Sequence, residues 1–236
     1  MTDMDQCAEC AHNVKGICLV SFMSVEQVKS YLGSSSCASK NITMKPPKLI
    51  GICGYARAGK DTAADMIHDL SDGIYYRKAA FANVLKDECN LMLSMVDDEF
   101  PDLHLEEDKI KYRDFLVFWG KFRREKFRPD YWIDKLISSI DVDIEDCDRG
   151  LVISDVRYPN EAEWIKDRGG IVFYIDRPGV VAANYEEAGT IREILEKKLY
   201  DMIIHNDGTL EDLAEKICGI LGILGILGIL RLVSEK

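Results

Sequence analysis

The chain has 236 residues, 47% of them hydrophobic and 30% charged, with a formal net charge of −11. That length and apolar content suit one α/β domain with appendages, and they exclude a chain disordered over most of its length. The acidic balance excludes a protein that coats nucleic acid or an anionic membrane, so a phosphate site must be a local basic pocket in an acidic molecule.

Residues 1–47 read as an appendage and linker. Met1-Thr2-Asp3-Met4-Asp5 is acidic with no apolar core behind it, so no cleavable signal is expected and the cytoplasm is the expected compartment. Four of the eight cysteines fall here, Cys7, Cys10, Cys18 and Cys37. Cys7 and Cys10 form a C-x-x-C pair that, with Cys18, His12 or Cys37, supplies thiolate and imidazole ligands for a structural zinc. The second half of that set has no tight pair, and the other reading is a loose, reduced cysteine segment. The appendage ends in the polar run from Ser34-Ser35-Ser36 to Lys45-Pro46-Pro47.

An apolar strand is expected over 48–54, and it leads into Gly54-Tyr55-Ala56-Arg57-Ala58-Gly59-Lys60-Asp61-Thr62. Glycines at 54 and 59 let backbone wrap an anion, the N–H groups opening the next helix point at phosphate oxygens, and Lys60 adds a mobile charge. Asp61 stands where a Ser or Thr usually follows the lysine, with Thr62 one place later. Apolar spacing through Ala63, Ala64, Met66, Ile67 and Leu70 supports the helix, against the alternative of an ordinary glycine turn that binds nothing.

Downstream the pattern alternates. A strand is expected over 75–81, a helix over 83–95, an acidic loop over 97–108, helices over 110–122 and 131–140, and a strand over 151–155. A helix over 161–168, a strand over 171–175, a helix over 191–199, a strand over 201–205 and a helix over 209–218 complete it. Such alternation implies a three-layer α/β/α domain over 48–218, with a mainly parallel sheet of about five strands. Ligands in these sheets lie at the carboxyl ends of strands, where the loop, Asp155 and Asp176 fall.

Asp155 ends a buried strand beside a phosphate loop, a place to hold Mg²⁺ directly or through water, or to cap a helix or pair with a cation. Arg157 follows two residues on, and its guanidinium fork suits a phosphoryl group. The run Lys121-Phe122-Arg123-Arg124-Glu125-Lys126-Phe127-Arg128, next to Asp130-Tyr131-Trp132, is a solvated helix face or a site for a substrate phosphate and a stacked base. Arg113 is a further candidate.

Five segments together resemble the deoxynucleoside monophosphate kinases of tailed bacteriophages, within the P-loop nucleotide-kinase group. They are 54–62, Phe81-Ala82-Asn83-Val84-Leu85-Lys86, Gly120 to Arg124 with Asp130-Tyr131-Trp132, Ile153-Ser154-Asp155-Val156-Arg157-Tyr158-Pro159-Asn160-Glu161, and Asn206-Asp207-Gly208-Thr209-Leu210. The resemblance implies a P-loop NTPase fold, ATP and Mg²⁺ as cofactors, and transfer of the γ-phosphoryl group to a deoxynucleoside monophosphate. It implies that Gly54, Arg57, Ala58, Gly59, Lys60, Asp61 and Thr62 cradle the ATP phosphates, with Arg177 on a closing segment and Asn206 in the turn beside the adenine. Lys86, Arg113, Arg123, Arg124 and Trp132, with Asp155 and Arg157, would hold the acceptor; Lys60, Asp61, Asp155 and Arg157 would carry the chemistry, and Asp61 and Asp155 the metal.

Residues 219–236 depart from that pattern. The repeat from Gly219 to Leu230 has a period of three, which matches neither helix nor strand, and its uncharged stretch is shorter than the roughly 20 residues a spanning helix needs. It reads as an extension of the last helix packed on the body or on a second subunit, a homodimer contact; weak membrane adhesion is the other reading. Rival functions are dephospho-coenzyme A kinase, a P-loop hydrolase in which Asp155 positions water, and a zinc-bearing scaffold without catalysis.

Overall fold

The computed structural model describes residues 47–71, 76–96, 100–140 and 150–223, side chains of 222–223 excepted, and the backbone alone of 13–14 and 17–18. The latter form an antiparallel pair, β1 (Asn13–Val14) with β2 (Ile17–Cys18). The zinc expectation falls outside the described residues at Cys7, Cys10, His12 and Cys37, and of Cys18 only the backbone is described. Among the described residues no group of His, Cys, Asp and Glu side chains is placed to hold a metal ion.

The body of the fold is built on a sheet of five parallel strands in the order β4-β5-β3-β6-β7. These are β3 (Leu49–Cys53), β4 (Tyr76–Ala79), β5 (Gly150–Val156), β6 (Ile171–Asp176) and β7 (Met202–His205). Every residue of β3 and β5 is buried, as expected of parallel strands covered on both faces. Along β3 the alternation still sorts the layers. Ile50 and Ile52 pack under α1 (Lys60–Leu70) and the last helix, α8 (Leu210–Ile223), while Leu49 and Cys53 face the opposite layer.

That opposite layer holds α2 (Phe81–Leu93), α5 (Tyr131–Ser139), α6 (Pro159–Asp167) and α7 (Tyr185–Glu196). A third, smaller cluster of Cys89, Leu93 and Leu103 lies where α2 meets α4 (Arg113–Lys126), and α3 (Glu106–Lys111) precedes α4. The architecture is the expected three-layer α/β/α domain with a five-stranded sheet, all of it parallel.

Three boundaries differ from the sequence reading for physical reasons. The acidic stretch read as loop to residue 108 turns helical at Glu106, where Glu106, Glu107 and Asp108 favour the positive end of the helix dipole. Helix α7 starts six residues early, because the Asn184 side chain accepts the N–H of Glu187 and caps it. Helix α8 runs past 218 into the repeat, burying Ile220 and Leu221 beside Leu213 and Ile217 at helical spacing. Residues 224–236 lie outside the described residues, and among those described no helix is long and apolar enough to cross a membrane.

Candidate active site

The loop between β3 and α1 is held from three sides. Gly54 has φ +143°, and a Cβ there would lie 2.6 Å from the Ile175 carbonyl oxygen at the end of β6. Gly59 has φ +100°, and a Cβ there would meet Asn206 Nδ2 at 2.5 Å. That amide, buried at the end of β7, donates to the Ala58 carbonyl at 2.8 Å. The third contact runs from Glu187 of α7, whose Oε1 accepts the Ala56 N–H at 2.9 Å. Asn206, expected beside the adenine, is therefore a brace of the loop itself.

Gly59 is the N-cap of α1 and supplies no side-chain cap, leaving the N–H groups of Lys60, Asp61 and Thr62 at an uncapped helix start. Such an end is an anion cradle. Lys60 is 7% exposed and its Nζ donates to the Tyr55 carbonyl at 2.8 Å. Burial, then Arg157, lower its pKa, opposed by Glu187, Asp61 and Asp155. Asp61 is exposed, with Oδ1 accepting from Ser154 Oγ at 2.8 Å. Arg57 is exposed in the left-handed region at φ 66°, Ala58 is buried, and Arg177 is exposed on the segment between β6 and α7.

Beside the loop opens a cleft of about 360 Å³ that brings together Lys86, Arg113, Arg124, Trp132, Asp155 and Arg157. Lys86, Arg113 and Arg157 have no carboxylate at ion-pair distance among the described residues. Unpaired cations converging on one cleft suit an anionic ligand.

Asp155 departs from the metal-ligand expectation. Its Oδ1 accepts the N–H of Phe81 and its Oδ2 that of Ala82, both at 2.8 Å, so the strand-end acid caps α2. Burial raises its pKa, and those two hydrogen bonds work against the rise. With both oxygens so engaged, Asp61 is the freer of the two carboxylates.

Arg123 is outside the cleft. Its guanidinium donates to Glu88 Oε1 at 2.7 and 2.8 Å and lies over the rings of Trp119, Phe127 and Tyr131 at 4.5, 4.6 and 4.7 Å. Glu88 also accepts from Trp119 Nε1, Tyr131 Oη and Lys135 Nζ. Burial pushes this carboxyl up, but the donors outweigh it and hold it below its ordinary value. The cluster ties α2, α4 and α5 together, which is a structural use of the basic-aromatic run.

Residues of the cleft to which sequence reasoning gave no role include Tyr158, Glu161, Glu186 and Glu187. Tyr158 Oη accepts from Arg124 at 2.5 Å and donates to Glu186 at 2.6 Å. Glu161 Oε2 accepts the N–H groups of Arg157 and Tyr158 at 2.7 and 3.0 Å, a capping arrangement that the Tyr-Pro-Asn-Glu spacing announces.

Burial pushes the Glu161 carboxyl from 4.5 up to about 7. A raised carboxyl pKa favours the neutral folded form, so its contribution is complete below pH 4.5 and lost as pH rises through about 7. The full change corresponds to about 3 kcal/mol. Denaturant titrations from pH 4.5 to 8 are expected to show stability falling with pH, and Glu161→Gln should flatten most of that slope. An unchanged slope in the variant would place the titration elsewhere.

Residues 121–217 match the family model of deoxynucleotide monophosphate kinase. A protein of Acanthamoeba polyphaga mimivirus, provisionally described as a deoxynucleotide monophosphate kinase, is 27% identical over 186 residues, covering 72% of this chain and 93% of its own. Among solved structures, dephospho-CoA kinase from Campylobacter jejuni is 17% identical with a TM-score of 0.45, covering 74% of this chain and 95% of its own. A Thermus thermophilus protein is 18% identical with the same TM-score of 0.45, over 75% and 97%. Over residues 121–217 this chain is similar to the deoxynucleotide monophosphate kinase family, and over most of its length to a viral protein provisionally described as such a kinase.

Proposed function

We propose that the enzyme transfers the γ-phosphoryl group of ATP to the 5′-phosphate of a deoxynucleoside monophosphate, giving the diphosphate and ADP. The observation that carries this reading is the cleft beside the phosphate loop in which Lys86, Arg113 and Arg157 have no carboxylate partner among the described residues. A water-activating hydrolase has no use for so many cations on a second cavity.

The acceptor phosphate is already a nucleophile, so the protein's task is alignment and charge cancellation. In this reading the N–H groups opening α1, with the loop from Gly54 to Gly59, hold the ATP phosphates, and Lys60 turns from Tyr55 toward them. Lys86, Arg113, Arg124 and Arg157 hold the acceptor phosphate, and Trp132 backs the base. Arg177 approaches the donor phosphates when its segment closes. The loop fits a nucleotide, since an uncapped helix start and two left-handed glycines are what a phosphate fills. Mg²⁺ would be held by nucleotide oxygens and Asp61, and it supplies charge neutralisation between donor and acceptor. We place the reaction in the cytoplasm, that of a host cell if the chain is phage-encoded.

ADP release should be measured from ATP and Mg²⁺ with each deoxy- and ribonucleoside monophosphate, with dephospho-coenzyme A and without acceptor. Turnover confined to one or more deoxynucleotides is expected. Acceptor-independent turnover would give the hydrolase, and turnover on dephospho-coenzyme A alone would give that kinase.

A further inference from the structure

Glu187 is a carboxylate out of place in a cleft that gathers anions. It is 8% exposed and lines the acceptor cavity, yet its Oε1 reaches 131 residues back in sequence to accept the Ala56 N–H inside the phosphate loop. The carbonyl of the preceding residue, Tyr55, accepts Lys60 Nζ. Tyr55 C=O and Ala56 N–H belong to one planar peptide group. That peptide is therefore gripped on its oxygen side by a buried ammonium and on its N–H side by a buried carboxylate.

The two charges need such a grip. A buried ion without a partner costs several kcal/mol, and among the described residues no direct ion pair joins Lys60 to Glu187. Each instead makes a charge-assisted hydrogen bond to the same polarisable unit, whose dipole carries part of their attraction. The other carboxylate oxygen, Oε2, accepts the Ala183 N–H at 2.7 Å, just ahead of the Asn184 cap. One side chain thus fastens the start of α7, and the end of the Arg177 segment, to the loop that presents Lys60.

We propose that Glu187 is a positioning residue for phosphoryl transfer, holding the Tyr55–Ala56 peptide so that the loop keeps Lys60 aimed at the phosphate site. This rests on the kinase reading for what the loop binds. A negative charge in the acceptor cleft opposes an anionic acceptor, so its presence is explained by the loop it holds and not by contact with substrate. The expected signature is a split: loss of Glu187 lowers kcat and leaves the acceptor KM unchanged or lower.

The test pairs Glu187→Ala with Glu187→Gln, which keeps the size and one accepting oxygen. Hydrogen exchange of the Ala56 amide in nucleotide-free protein should quicken at least roughly tenfold in the alanine variant and be largely restored in the glutamine variant. Turnover should fall roughly 10- to 100-fold in the alanine variant, the scale of a misplaced catalytic group, with partial rescue by glutamine and no rise in acceptor KM. Unchanged Ala56 exchange, full kcat in the alanine variant, or a loss confined to a raised acceptor KM would each overturn the proposal. If the alanine variant does not fold, the glutamine variant decides: full kcat with the charge removed and the hydrogen bond kept overturns the charge grip. Wild-type protein silent with every acceptor would sink the kinase reading, whereas the exchange measurement still judges the grip.

Discussion

Lys60→Met is expected to lower kcat by roughly 10²- to 10³-fold, the scale of removing one preorganised donor from a developing charge, while the protein stays folded. Methionine keeps the four-atom unbranched stem of the lysine and omits only the ammonium. The sequence reading made Lys60 a mobile charge; the side chain is 7% exposed and folded back onto the Tyr55 carbonyl. The burial gives the prediction a second part. Removing the ammonium leaves Glu187 as a buried carboxylate opposite a peptide whose oxygen has lost its donor, so a modest drop in melting temperature should accompany the loss of turnover. Kinetics and a thermal melt on the same preparation check both parts. Near-normal kcat in a folded variant would mean that another cation serves the γ-phosphate.

Trp132→Ala carries the largest expected stability cost, roughly 3–5 kcal/mol, as for other large-to-small changes at aromatic core positions. Trp132 is 3% exposed, meets Tyr131 edge-on with centroids 4.9 Å apart, and donates Nε1–H to the Gly120 carbonyl at 3.0 Å. It also lines the cleft proposed to hold the acceptor, so stability and acceptor binding are expected to couple at one ring. Trp132→Phe separates them: it keeps a ring and forfeits the hydrogen bond, costing less stability. A raised acceptor KM in the phenylalanine variant would support the packing of this residue near the base. Urea denaturation that finds Trp132→Ala costing under 1 kcal/mol would be incompatible with the burial.

Much of the fold was legible because its signals are local. The all-apolar run of β3, the glycines at 54 and 59 and the helical spacing of α1 each follow from short-range rules, and the strand–helix alternation then implies a parallel sheet. The cations of the cleft were legible as residue types in motifs. Their sorting was not: Arg123 and Arg124 are neighbours in sequence, yet one faces Glu88 and three aromatic rings while the other faces Tyr158 and the cleft. A helix points adjacent residues about 100° apart, and only packing decides which face is which. The role of Glu187 was hidden for the same reason, since its partner is 131 residues away. A local sign was present: Asn184 followed by Glu187 three residues later is a capping pattern that places the start of α7 correctly.

The braces of the phosphate loop have a bearing on how this protein is made. The motif itself is finished by Thr62, but β3 finds its sheet partners only in β5 and β6, and the loop gains its last brace from Asn206, 148 residues after the Ala58 carbonyl it supports. Contacts so distant along the chain close late and slow folding. A nascent chain that has emerged only as far as β6 therefore contains every residue of the loop and lacks two of the three contacts that hold it, those of Glu187 and Asn206. On the proposed reading, capture of ATP would then report that the whole sheet, out to its final strand, has assembled.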